Sequence, residues 1–148
     1  MPVFKYKIPR KVHTPAPAFN VQLQADDEGL TGQIQGYPAS DIEERFARAL
    51  DRDERVSSYT FREAVIAGRN LPGQLEVDFM IQTGAITKPV QVDGEFAHKG
   101  LSKKEEDAMK DELINKFLSK YGAARVQRID GEKLSDQRKA NDLVRDLL

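Results

Sequence analysis

Residues 74–94 read QLEVDFMIQTGAITKPVQVDG, and the fold follows from how this stretch divides. Leu75, Val77, Phe79 and Ile81 alternate with Glu76, Asp78 and Met80, the period of a strand with one apolar face. The turn QTGAI separates this run from ITKPVQV, so the two are expected to pair as antiparallel strands. In the second run Val90 and Val92 share one face, and Gln91 and Asp93 share the other. Pairing would bring Asp78, Gln91 and Asp93 together across neighbouring strands. Charged groups on the inner strands of a covered sheet are costly unless paired or metal-bound. An oxygen-rich cluster of this kind suits a hard divalent ion such as Mg²⁺. The plainer alternative is that acids near a strand end face solvent and that Asp93-Gly94 is an ordinary turn.

Upstream, SDIEERFARAL opens with Ser40 and has Glu43 three residues on, the pattern of a capping box. Ile42, Phe46, Ala49 and Leu50 then fall on one helical face. VSSYTFREAVI is rich in β-branched and aromatic residues and predicts a strand, and RNLPG predicts a turn. Downstream, Ser102 and Glu105 suggest a second capping box. The helix behind it carries Met109, Leu113, Ile114, Phe117, Leu118 and Tyr121 as a helical stripe, with Gly122 as its stop. AARVQRI is a short strand. It follows a helical crossover, so it is expected to run parallel to the strand before it. DGEKLS is a turn. SDQRKANDLVRDLL closes the chain as an amphipathic helix with Ala140, Leu143, Val144, Leu147 and Leu148 apolar. The expected fold is mixed α/β, one central mixed β-sheet flanked by helices, over residues 40–148.

Residues 1–39 differ from the rest. Lys5, Lys7, Arg10 and Lys11 make a basic start, and Pro2, Pro9, Pro15, Pro17 and Pro38 forbid a long helix. FNVQLQ and TGQIQG flank an acidic turn and could pair as a small hairpin. We read the segment as an extended N-terminal arm that lies on the domain or reaches a partner, either a second copy or another protein. The arm has no apolar signal-peptide core.

The 148 residues suit one domain. Basic and acidic residues nearly cancel at a formal net charge of −1. Nucleic-acid binding by bulk charge is therefore excluded, and any such contact needs a local patch. There is no cysteine, hence no disulfide framework or thiolate chemistry. No run approaches the roughly 20 apolar residues of a membrane span. These features lead us to expect a cytoplasmic protein with no membrane partner.

Taken in order, Glu43 in SDIEERF, Asp78-Phe79 in LEVDFMI and Gln91-x-Asp93-Gly94 in QVDGE are followed by His98. Asp107 in EEDAMKDELINKFL, Gly122 in KYGAARV and Arg128 complete the set. This order, from about Ser40 to Leu134, resembles the PD-(D/E)XK (restriction-endonuclease-like) nuclease superfamily, in its very-short-patch-repair-endonuclease-like branch. The resemblance implies a restriction-endonuclease-like core, DNA as partner, and Mg²⁺ (or Mn²⁺) as cofactor of an endonuclease. It implies Asp78 as central metal ligand, Gln91 in the second ligand position and Glu43 reaching in from its helix. Asp93 stands where many members have Lys, and His98 would orient or deprotonate the attacking water. Lys99, Lys103 and Lys104 would contact phosphate as point charges.

Two departures accompany the likeness. Gln91 stands where a carboxylate is usual, which removes one negative charge from the site. Three residues, Glu95, Phe96 and Ala97, separate Gly94 from His98, one more than in the branch. Gln91 in place of an acid, Asp93 in place of Lys and the extended arm motivate a second expectation, a catalytically degenerate nuclease fold that serves as a DNA-binding or assembly subunit through its N-terminal arm.

Overall fold

The computed structural model describes residues 29–67, 74–94 and 100–148. Elements follow the order β1 (Gln33–Ile34), β2 (Tyr37–Pro38), α1 (Asp41–Arg52), β3 (Ser58–Ala67), β4 (Gln74–Thr83) and β5 (Ile86–Asp93). They continue with α2 (Leu101–Leu118), β6 (Gln127–Asp130) and α3 (Gln137–Leu147). The architecture is mixed α/β, with the sheet order β3-β4-β5-β6. β3 and β5 both run antiparallel to β4, and β6 runs parallel to β5 after the α2 crossover.

The hairpin between β4 and β5 closes on Gly84-Ala85, with Thr83 paired to Ile86. Gly84 has φ +59°, a left-handed conformation that glycine adopts at no steric cost. α1 starts as its sequence predicts: the Ser40 hydroxyl accepts from the Glu43 N–H, and the Glu43 carboxylate accepts from the Ser40 N–H. Gly122 ends the α2 region in the left-handed conformation, φ +77°. Among the described residues, no helix is long and apolar enough to cross a membrane.

The main core lies between the sheet and the α1/α3 pair. Phe79 is its centre, with ring centroids 4.8 Å from Phe46, 5.0 Å from Phe61 and 6.0 Å from Tyr59. Ile34, Leu50, Ile81, Val90, Ile129, Leu134, Ala140 and Val144 complete it. A second, smaller core forms on the α2 side from Val77, Met80, Ile114 and Leu118.

Three local expectations are corrected. Leu75 and Val77 pack on the α2 side, whereas Phe79 and Ile81 pack on the α1/α3 side, so the alternation of β4 reverses at Asp78. The ladders explain it. β3 pairs Phe61 with Phe79 and Glu63 with Val77, the rung between them is missing, and Arg62 has φ +58°.

The second capping box does not form. α2 begins at Leu101 with Gly100 in the extended cap conformation and no side-chain cap, which leaves Ser102 inside the first turn. The apolar stripe of α2 is not all buried either. Ile114 and Leu118 face the sheet, while Met109, Leu113 and Tyr121 are exposed. The sheet offers α2 one narrow face, and an 18-residue helix with apolar residues on two sides satisfies only one.

The hairpin expected in the arm rests in part on residues outside the described ones. Gln33–Ile34 pairs with Tyr37–Pro38; FNVQLQ lies outside the described residues. Residues 31–39, the end of the segment read as an arm, lie on the domain. The Glu44 carboxylate accepts from the Thr31 N–H at 2.9 Å, the Thr31 hydroxyl at 2.9 Å and the Gly32 N–H at 2.8 Å. Ile34 is fully buried in the main core.

Candidate functional site

β4 and β5 are bonded only as far as Phe79 and Val90. Beyond that rung β5 continues against β6, pairing Gln91 with Arg128, Val92 with Ile129 and Asp93 with Asp130. Side chains take over the gap between β4 and β5. Gln91 Oε1 accepts from the Asp78 N–H at 3.0 Å, and Gln91 Nε2 donates to the Glu76 carbonyl at 2.9 Å. One amide thus replaces a missing backbone rung. The Asp78 carboxylate answers from the other side: its Oδ2 accepts from the Val92 N–H at 2.8 Å.

Asp78 is therefore enclosed where two strands part. Burial pushes its carboxyl up to about 6. The Val92 N–H and the Arg128 charge oppose this rise, and the charges of Glu43 and Glu76 add to it. Glu43 is held on the first turn of α1 by its bonds to the Ser40 N–H (2.9 Å) and hydroxyl (3.0 Å). Small residues let α1 come this close. A Cβ on Gly131 would sit 2.8 Å from Ile42 Cδ1 and 3.0 Å from Gly94 Cα, so glycine lets the strand ends and the helix start pack closely without shifting either.

On the α2 side, Arg128 gathers three carboxylates. It forms a forked pair with Asp111, Nε to Oδ2 at 2.6 Å and Nη2 to Oδ1 at 2.9 Å. Asp93 lies 3.5 Å and Asp107 3.9 Å from Nη1. Burial works against the Arg128 charge, but bonds to Asp111 and the charges of Asp111, Asp107 and Asp93 outweigh it and raise its pKa. Asp93 is buried within this pair.

The expected site residues thus divide. Asp78 and Gln91 touch through the β4 backbone, Glu43 acts on Asp78 by charge, and Asp93 belongs with Arg128. Lys103 reaches Glu106 (4.0 Å) and Asp107 (3.8 Å) on its own helix. Lys104 is half-buried beside it. His98 and Lys99 lie outside the described residues. Asp111, the tightest partner of Arg128, was not picked out by sequence reasoning. Its spacing of four from Asp107 on one helical face was the available signal.

Among the described residues, no group of three His, Cys, Asp or Glu side chains is arranged to hold a metal ion. No protein-family model, curated protein or solved structure matches the chain.

Proposed function

We propose that the domain is a divalent-metal-dependent DNA endonuclease with Asp78 as its central carboxylate. The observation that carries this reading is the state of Asp78: a buried acid, raised to about 6, with Glu43 and Glu76 adding to the rise. A divalent cation bound there would outweigh what Arg128 alone offsets, since opposite charge nearby lowers a carboxyl pKa and repays the cost of burial. The element order helix, three strands, helix, strand, with this sheet topology, is consistent with the resemblance drawn from the sequence.

Asp78 would hold Mg²⁺ or Mn²⁺, with Glu43 contributing charge directly or through water. The Gln91 amide oxygen has a second lone pair beside the one given to the Asp78 N–H, and it completes the protein share of the shell. Mg²⁺ retains several waters, so few protein oxygens suffice. The bound ion supplies Lewis-acid polarisation of the phosphate and acidifies its water. In this reading His98 is the water-orienting base, and Lys99, Lys103 and Lys104 meet phosphate. Plasmid nicking in Mg²⁺ or Mn²⁺ tests the proposal. Wild type cuts and Asp78→Asn does not; a wild type inert in both metals overturns it.

A second reading, the degenerate fold acting as a DNA-binding or assembly subunit, is favoured by one observation. Both ends of the Gln91 amide are already engaged with β4. It predicts DNA retention or assembly without cleavage, unchanged in Asp78→Asn.

A further inference from the structure

We propose that α2 is a self-association helix, pairing antiparallel with the same helix of a second copy. This does not rest on the nuclease reading. α2 turns Asp107, Ile114, Asn115 and Leu118 inward. On another face Met109 is 69% and Leu113 is 47% exposed. The two lie one turn apart and so form one patch. Beside them runs an open groove of about 620 Å³, lined by Ala108, Glu112, Lys116 and Arg125 among others. Large adjacent apolar side chains at a groove on so charged a surface mark a contact face.

The charges flanking the patch identify the occupant. The stripe reads Glu105, Met109, Leu113, Lys116, with steps of four, four and three residues that keep it on one side of the helix. Glu105 and Lys116 are both exposed. Reversed, the stripe reads positive, apolar, apolar, negative. A second copy running antiparallel sets Leu113 against Met109 twice and Lys116 against Glu105 twice about a two-fold axis. A parallel copy sets like charges together. Such self-complementarity is what an isologous dimer requires. Glu112 is compensated within its own chain by Arg125, so it does not oppose the approach. Ala108, beside the patch, leaves room for the partner helix. Two apolar residues a side make a small interface, so the dimer is weak and concentration-dependent.

Sedimentation of the full chain across the micromolar range tests the proposal, with charge reversal as the diagnostic. Wild type shifts from monomer to dimer. Glu105→Lys and Lys116→Glu each weaken association roughly tenfold, and the double exchange restores it. Leu113→Glu abolishes it while circular dichroism shows the fold retained. The chain has no cysteine, so mixing Met109→Cys with Leu113→Cys chains reads the direction: antiparallel pairing cross-links the mixture in preference to either variant alone. A chain that stays monomeric overturns the proposal. So does a dimer indifferent to the single charge reversals, or one that cross-links like positions.

Discussion

Gln91 holds Asp78 through the acid's own backbone: its Oε1 accepts the Asp78 N–H at 3.0 Å while its Nε2 donates to the Glu76 carbonyl at 2.9 Å. Gln35 makes the same bridge on β3, donating to the Tyr59 carbonyl at 2.9 Å and accepting from the Phe61 N–H at 2.8 Å. In both places a side-chain amide substitutes for a strand. At β3 it covers an edge. At β4 it spaces two inner strands so that the Asp78 carboxylate fits between them. The amide at position 91 is therefore suited to its place, because one group must both donate and accept.

Gln91→Glu removes the donor and sets an anionic oxygen against the Glu76 carbonyl. Without metal the variant loses on the order of 2 kcal/mol, the cost of unpaired buried groups. Mn²⁺ then raises its melting temperature more than it raises that of wild type, since the site has gained a charge. Denaturant unfolding with and without Mn²⁺ reads both effects. Equal metal-free stability of variant and wild type would show that the clamp carries no weight.

Asp78→Asn keeps an acceptor for the Val92 N–H and removes the charge. The sign follows from the pKa. A carboxyl raised to about 6 in the folded state, against an ordinary value of 3.8, binds its proton more tightly when folded. Asp78 is therefore least costly below the ordinary carboxylate range, and stability falls as pH rises through about 6. At neutral pH the Asn variant is more stable than metal-free wild type by roughly 2 kcal/mol, and the gap closes on acidification. Thermal melts across pH check this. A variant less stable at neutral pH contradicts it.

Arg128→Leu removes the cation that Asp93, Asp107 and Asp111 share. Arg128 and Asp111 are half-buried, so the loss is expected at about 1–3 kcal/mol, below that of a fully buried pair. Part of the loss returns on acidification, because protonation removes the mutual repulsion of the three carboxylates. Urea unfolding at neutral and acidic pH distinguishes this from a packing defect, which would be pH-independent. Arg128→Lys keeps the charge without the fork to Asp111 and falls between.

Glu44→Gln tests how residues 31–39 are fixed. The fully buried Glu44 carboxylate accepts from two backbone N–H groups and a hydroxyl. An amide turns a donor towards donors. We expect a loss of about 1–3 kcal/mol and faster hydrogen exchange at Thr31 and Gly32, with β4 and β5 unchanged. Uniform exchange across the domain would place the defect elsewhere.

The strands, the hairpin turn, the first capping box and the parallel return of β6 were legible because each rests on local pattern. Val90 and Val92 face the core as their alternation implies. The reversal at Asp78 was not legible, since it comes from Arg62 adopting positive φ on a different strand. Nor was the engagement of Gln91: a glutamine in a strand looks the same whether its amide meets solvent, metal or backbone. Met109 and Leu113 satisfied the helical period, yet the period does not say how much of a helix the sheet can cover. Gln35 and Glu44 sat beside the arm boundary, and their long-range bonds left no mark in the spacing.

The most direct test is an NMR titration of the Asp78 carboxyl with and without Mg²⁺. The account predicts a midpoint near 6 in the metal-free protein, falling well below that when Mg²⁺ is added. A midpoint in the ordinary carboxylate range, or one near 6 that Mg²⁺ leaves unmoved, would contradict Asp78 as the metal-binding centre.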